Sequence, residues 1–147
     1  MPSTHTSLHY HLVFSTKNRD PHLAREWRAD LHDYLGGCLR TLGATPLRIG
    51  GVADHVHLLA GAKPTHAPAD LVRELKKAST AWIREHHVAA FAWQEGYGAF
   101  TISRSVVDAV ARYIDNQEEH HRTRTFQEEY RTFLDELGIP YDPKYLW

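Results

Sequence analysis

The sequence is short of several things, and each shortage removes a class of protein. A single cysteine, Cys38, can neither close an internal disulfide nor contribute to a thiolate metal cluster, and it is expected as a small core residue on a helix. No stretch approaches the roughly 18 consecutive apolar residues of a membrane helix, so no membrane association is expected. The opening "MPSTHTSLHYHLVF" lacks the basic-then-apolar layout of a secretory signal, and the expected location is the cytoplasm. There is no basic excess either: 17 Lys and Arg face 18 Asp and Glu, for a net charge of −1, unlike a protein that coats nucleic acid indiscriminately. The charge is uneven, however. Residues 1–114 hold 13 of the basic residues and 10 of the acidic ones, and residues 115–147 hold 4 against 8, so a phosphate-facing surface is expected in the first three quarters.

What is present is ordinary globular composition, 42% hydrophobic and 24% charged, together with 12 histidines. A length of 147 residues suits one domain spanning 1–147. "SLHYHLVFST" alternates Leu8, Tyr10, Leu12 and Phe14 with His9, His11, Val13 and Ser15, the period of a strand. Leu23, Trp27, Leu31, Leu35, Leu39 and Leu42 then recur at helical spacing up to Gly43. "TPLRIGGVADHVHLLAGA" reads as two strands joined around Gly50, Gly51 and Asp54. Residues 65–87 form a second helix, with Leu71, Leu75, Ala78 and Trp82 on one stripe and Arg73, Lys76, Lys77 and Arg84 on another face. "FAWQEGYGAFTIS" is a glycine-broken loop leading to a strand at Ala99 to Ile102. Residues 105–121 read as one helix whose Ser105 and Asp108 have capping-box spacing. Thr125 and Glu128 repeat that spacing before a last helix bearing Phe126, Tyr130, Phe133, Leu134 and Leu137, stopped by Gly138 and Pro140. The order β-α-β-β-α-β plus helices predicts an α+β, ferredoxin-like (split-βαβ) antiparallel sheet, with helices on one face and the other face free for a ligand.

His55 and His57 are i and i+2 on a strand, so both imidazoles stand on one side of the sheet with Cα atoms about 7 Å apart. That spacing suits a metal ion, and it also suits two histidines that hydrogen-bond locally. Tyr113 and Gln117 are i and i+4 on a helix and share a face; by spacing alone they read as packing and solvated surface.

Taken together, "HLVFSTKNR", "GGVADHVHLL", "WQEGYGAFTIS", "YIDNQEEHH" and "FQEEYRTFLDELGIPYDPKYLW" resemble, in order, the small single-tyrosine HUH transposases of the insertion sequence 200/605-like group and their REP-associated relatives. The resemblance implies a transposase that cleaves and rejoins single-stranded DNA at hairpin-marked ends. It implies Tyr113 as nucleophile and a divalent ion held by His55, His57 and Gln117; two imidazoles with oxygen ligands suit Mg²⁺ or Mn²⁺, spacing leaves Zn²⁺ open, and His120 or His121, about two turns from Tyr113 on nearly the same helix face, are substitutes for the third ligand. It also implies a homodimer in which Tyr113 and Gln117 of one chain serve the histidine pair of the other. Such chemistry is physically sensible: a phenol with a pKa near 10 and an anionic phosphodiester both need local positive charge. Candidates for phosphate contact are Lys17, Asn18, Arg19, Arg48, Arg73, Lys76, Lys77 and Arg84, and Trp93, Tyr97 and Phe100 are candidates for stacking on bases. Two rivals stand beside this reading. One is a domesticated, non-mobile protein that only binds hairpin DNA. The other is a metal-dependent nuclease that activates water with Asp54 as base.

Overall fold

A computed structural model describes residues 2–146; Trp147, the last residue of the resembling tail motif, lies outside them. The strands are β1 (Leu8–Ser15), β2 (Thr45–Val52), β3 (His55–Ala62) and β4 (Gly98–Ile102). The helices are α1 (Arg25–Thr41), α2 (Pro68–His86), α3 (Val107–Asp115), α4 (Gln117–His120) and α5 (Phe126–Glu136). The sheet is antiparallel throughout with order β2-β3-β1-β4, which is the split-βαβ arrangement the sequence predicts.

Alternation within β1 and β3 builds two different layers. Leu12 and Phe14 of β1 and Val56, Leu58 and Ala60 of β3 face α1 and α2, where Leu31, Leu35, Leu39, Leu71, Leu75 and Ile83 close an apolar core. The buried stripe of α2 runs through Val72, Leu75, Ser79 and Ile83. The predicted stripe through Ala78 and Trp82 is thus rotated by about one position. Trp82 lies half-buried and stacks on Tyr34 of α1 with ring centroids 5.3 Å apart.

The opposite face of the sheet is not free, contrary to expectation. Helices α3 and α5 cover it: Val107, Ala111 and Ile114 of α3 pack on Leu59, while Phe126 and Leu134 of α5 pack with Val13 and Phe100. The tail returns to the same layer, with Tyr141 and Leu146 against that second cluster and the Tyr141 hydroxyl donating to Asp135 Oδ1 at 3.0 Å. β3 is therefore buried from His55 to Ala60 on both sides, which is why its histidines sit in an unbroken buried run.

Two further expectations change. Residues 105–121 are not one helix. A short 3-10 turn at Arg104–Val106 precedes α3, Ser105 bonds Ser103 instead of capping, and the chain breaks at Asn116 (φ −96°, ψ 20°) before α4. The capping box predicted at Thr125 and Glu128 is formed. Gly50 of β2 explains how closely α3 approaches the sheet, since a Cβ there would lie 2.8 Å from the Ile114 carbonyl oxygen. That approach fixes the height of α3, and so of Tyr113, over β3.

Candidate active site

β3 places His55 and His57 side by side on the face covered by α3 to α5, and both are fully buried. A buried imidazole needs partners on both ring nitrogens, and each histidine has them. His55 Nδ1–H donates to Asp54 Oδ1 at 2.7 Å, and His55 Nε2 lies 3.0 Å from Gln117 Oε1. His57 Nε2 lies 2.9 Å from Glu129 Oε1, and its Nδ1 lies 2.7 Å from His11 Nε2. Asp54 thus sits behind His55 and fixes which nitrogen faces inward, and it also lines the surface groove shared by Asn18, Arg19 and His121.

Helix α3 brings Tyr113 over the pair, its ring edge-on to His57 with centroids 5.8 Å apart, and the Tyr113 hydroxyl donates to Glu129 Oε2. One turn later Gln117 is almost fully buried and donates from Nε2 to the same carboxylate oxygen at 3.2 Å. His121 Nε2 donates to Gln117 Oε1 at 3.0 Å. His120 Nε2 comes within 3.2 Å of Glu129 Oε2, but not in hydrogen-bonding alignment. The break at Asn116 swings the segment bearing Gln117, His120 and His121 over the histidines. Spacing along one straight helix would not have placed it there.

The electrostatics follow from burial and from one carboxylate. Burial works against a charged His55, but the hydrogen bonds and charges of Asp54 and Glu129 outweigh it and raise its pKa to about 9. His57 goes the other way, to about 4, because burial dominates over its bond to Glu129, and burial together with His57 lowers His11 to about 3. Burial would raise the Glu129 pKa, but its hydrogen bonds with His121, His55 and His57 hold it well below the usual carboxylate range. Burial first and Glu129 second push the Tyr113 phenol well above its ordinary value. The phenol keeps its proton in this arrangement.

The four residues expected at the site, His55, His57, Tyr113 and Gln117, meet within one chain, so no exchange between subunits is needed to bring them together. Sequence reasoning missed Glu129 and His11. Glu129 had a signal: it stands three residues after Phe126 and four before Phe133, a carboxylate on the apolar stripe of an amphipathic helix, and it is 2% exposed. His11 shares its face of β1 with Val13, opposite His57 in the register, which only the strand pairing reveals.

The nucleic-acid candidates divide. Lys17, Asn18 and Arg19 form a 3-10 turn at the end of β1, with Asn18 and Arg19 at φ 57° and 56°. Asn18 and Arg19 line a groove of about 540 Å³ with Arg122, Arg124 and Phe126 beside His121. Arg48 is paired to Asp115 at 2.8 Å and ties β2 to the end of α3. Arg73 bridges Asp70 and Glu74, and Lys76 donates to the carbonyls of Gln94 (2.7 Å) and Gly96 (2.6 Å). The Arg84 side chain donates to Phe91 O at 2.7 Å. All of these α2 residues, with exposed Lys77, belong to the layer away from the histidine pair. Trp93 and Phe100 are each 8% exposed core residues, the Trp93 indole donating to Ser79 Oγ, so neither is a stacking platform; Tyr97 is exposed.

A split-βαβ sheet with a histidine pair on a central strand, faced by a tyrosine from α3 and a glutamine from α4, defines the class of this protein. The IS200-like transposase family matches residues 4–117, a span that includes all four residues. The chain belongs to that family. The ISDra2 transposase TnpA of Deinococcus radiodurans is 30% identical over 117 residues, covering 75% of this chain and 84% of that protein. A crystal structure of a transposase from the same organism aligns at TM-score 0.64 with 30% identity, covering 80% of this chain and 95% of that one. A REP-associated tyrosine transposase solved bound to a REP hairpin aligns at TM-score 0.61 with 15% identity, covering 82% of this chain and 74% of that one, a likeness of fold. Among the described residues no helix is long and apolar enough to cross a membrane.

Proposed function

We propose that this transposase cleaves and rejoins single-stranded DNA at hairpin-marked ends through a 5′-phosphotyrosine on Tyr113, with Mg²⁺ or Mn²⁺ held by His55, His57 and Gln117. The observation that carries the reading is convergence: the inward nitrogens of His55 and His57, the Gln117 amide oxygen and the Tyr113 hydroxyl all meet around one point in a single chain. The donors fit a divalent ion. His55, His121 and Glu129 each bring one ligand atom within 4.8 Å of the others, His57 Nε2 adjoins this group through Glu129 and Gln117 Oε1 through His55, and imidazole and oxygen donors together suit Mn²⁺ or Mg²⁺. Bound there, the ion would supply positive charge to the phenol and the scissile phosphate.

The residues supply the rest. Asp54 accepts from His55 Nδ1–H and His11 Nε2 lies 2.7 Å from His57 Nδ1, so both rings are held from behind with Nε2 facing inward. Packing of α3 through Val107, Ala111 and Ile114 orients Tyr113 for attack. The phenol oxygen bonds to phosphorus, the bond to the 3′ oxygen breaks, and the proton lost by the phenol balances the one gained by the departing 3′-hydroxyl. Because the phosphotyrosine keeps the bond energy, rejoining to another strand needs no nucleotide triphosphate. The groove carrying Asn18, Arg19, Arg122 and Arg124 opens beside the site and suits the path of the strand. The hairpin-bound relative of the same fold supports a hairpin as the recognised element.

The test is a denaturing gel of protein mixed with end-derived single-stranded hairpin oligonucleotide and Mn²⁺. Wild type is expected to give a covalent protein-DNA species that EDTA abolishes, and Tyr113→Phe to give none while still binding the hairpin. A normal amount of adduct from Tyr113→Phe would overturn the assignment. Mixing Tyr113→Phe with a His55→Ala/His57→Ala protein is expected to restore nothing if each site works within one chain. Recovered adduct in heterodimers confirmed by mass would establish a homodimer that shares its sites.

A further inference from the structure

We infer that Glu129 belongs to the metal centre itself, with Oε1 completing the ligand set beside His55 and His57 while Oε2 holds the Tyr113 hydroxyl next to the ion. The inference rests on the metal reading of the histidine pair and extends it to a helix outside residues 4–117, the span that the family match covers.

Three observations carry it. First, placement: Glu129 Oε1 lies 2.9 Å from His57 Nε2 and 3.5 Å from His55 Nε2, and His55 Nε2 is 3.0 Å from Gln117 Oε1. Neighbouring donors around a six-coordinate ion with bonds of about 2.1 Å are about 3 Å apart, so these separations are close to the edges of such a shell. Second, cost: burying a carboxylate costs several kcal/mol, yet Glu129 replaces what amphipathic packing would make an apolar residue between Phe126, Tyr130 and Phe133 on α5. The histidines around it offset part of that cost, and a divalent cation among them would offset more. Third, chemistry: two imidazoles and an amide are all neutral ligands, and a carboxylate adds the hard anionic oxygen that Mg²⁺ and Mn²⁺ favour. The two oxygens then have separate tasks, since Oε2 accepts from the Tyr113 hydroxyl and from Gln117 Nε2. A consequence is that ion binding and docking of α5 are coupled.

The experiment titrates Mn²⁺ into the full chain without DNA, reading free Mn²⁺ by electron paramagnetic resonance, for wild type, Glu129→Gln, Glu129→Ala and His55→Ala/His57→Ala. Glu129→Ala is expected to weaken Mn²⁺ binding at least tenfold. Glu129→Gln, which keeps an oxygen donor and the shape, should fall between that variant and wild type, and serves alone if Glu129→Ala does not fold. Hydrogen exchange of residues 126–136 should slow on adding Mn²⁺ to wild type and not to Glu129→Ala. Unchanged Mn²⁺ affinity in both Glu129 variants, with binding lost in the histidine variant, would overturn this inference and leave the histidine site standing. Tighter binding in the Glu129 variants would also overturn it, by showing that the carboxylate competes with the ion. Failure of wild type to bind Mn²⁺ would overturn the metal reading beneath it.

Discussion

The two faces of the central strands β1 and β3 are both covered and are built on opposite principles. Toward α1 and α2, β1 and β3 present Leu12, Phe14, Val56, Leu58 and Ala60, whose packing asks only for volume and shape. Toward α3 to α5 the same strands present His11, His55 and His57, against Tyr113, Gln117 and Glu129, where each buried polar atom must find a partner of the right kind. The first face is tolerant chemically and holds the protein together. The second is a buried polar cluster framed by Leu59, Phe126, Ile114 and Leu134.

The largest effects that separate the faces should be functional. A change on the polar face, Tyr113→Phe, should abolish adduct formation on the denaturing gel while the protein remains folded by circular dichroism. On the apolar face the largest effect should be on stability. Leu58→Ala, which truncates a fully buried residue, should cost about 2–5 kcal/mol in urea denaturation. Its Mn²⁺ affinity, measured well below the unfolding midpoint, should stay within about twofold of wild type if the faces are as independent as their packing suggests.

A third change probes the seam between the layers. Gly50→Ala puts a methyl where only 2.8 Å separates the Cβ position from the Ile114 carbonyl, and must lift the end of α3. Adduct formation should fall by about tenfold or more with hairpin affinity retained, because small displacements of a nucleophile are costly to rate. A wild-type rate in this variant would show that α3 need not sit at the height seen here.

The smallest effect is on pH dependence in the presence of chelator, and it belongs to the polar face alone. His55, raised to about 9, contributes stability that is complete below its ordinary 6.5 and is lost as pH climbs through 9. His57 and His11, lowered to about 4 and about 3, contribute stability that is present above 6.5 and is lost as pH falls toward those values. Urea denaturation across this range should therefore give a stability maximum near 6.5, with Glu129→Gln flattening the alkaline limb. A maximum unmoved in shape by Glu129→Gln would mean that the carboxylate does not set the charge of His55. The same proton competes with metal, so Mn²⁺ affinity should rise as pH increases toward 9.

The sequence by itself determined a good deal. Period-two patterning placed β1, glycine-marked turns placed β2, β3 and β4, helical patterning placed α1 and α2, and the capping box at Thr125 and Glu128 located the start of α5, because these signals depend on neighbours a few residues apart. The i, i+2 spacing of His55 and His57 and the i, i+4 spacing of Tyr113 and Gln117 were likewise legible, although only the resemblance gave the tyrosine and the glutamine their roles. What tertiary structure alone decided is what covers the histidines. The break at Asn116, the return of α5 over the second face and the delivery of Glu129 and His11 to the ring nitrogens of His57 join residues 46 and 72 positions away. No local pattern encodes such contacts. They follow from the need to bury the apolar face of α5 and to give the buried His57 ring partners on both nitrogens.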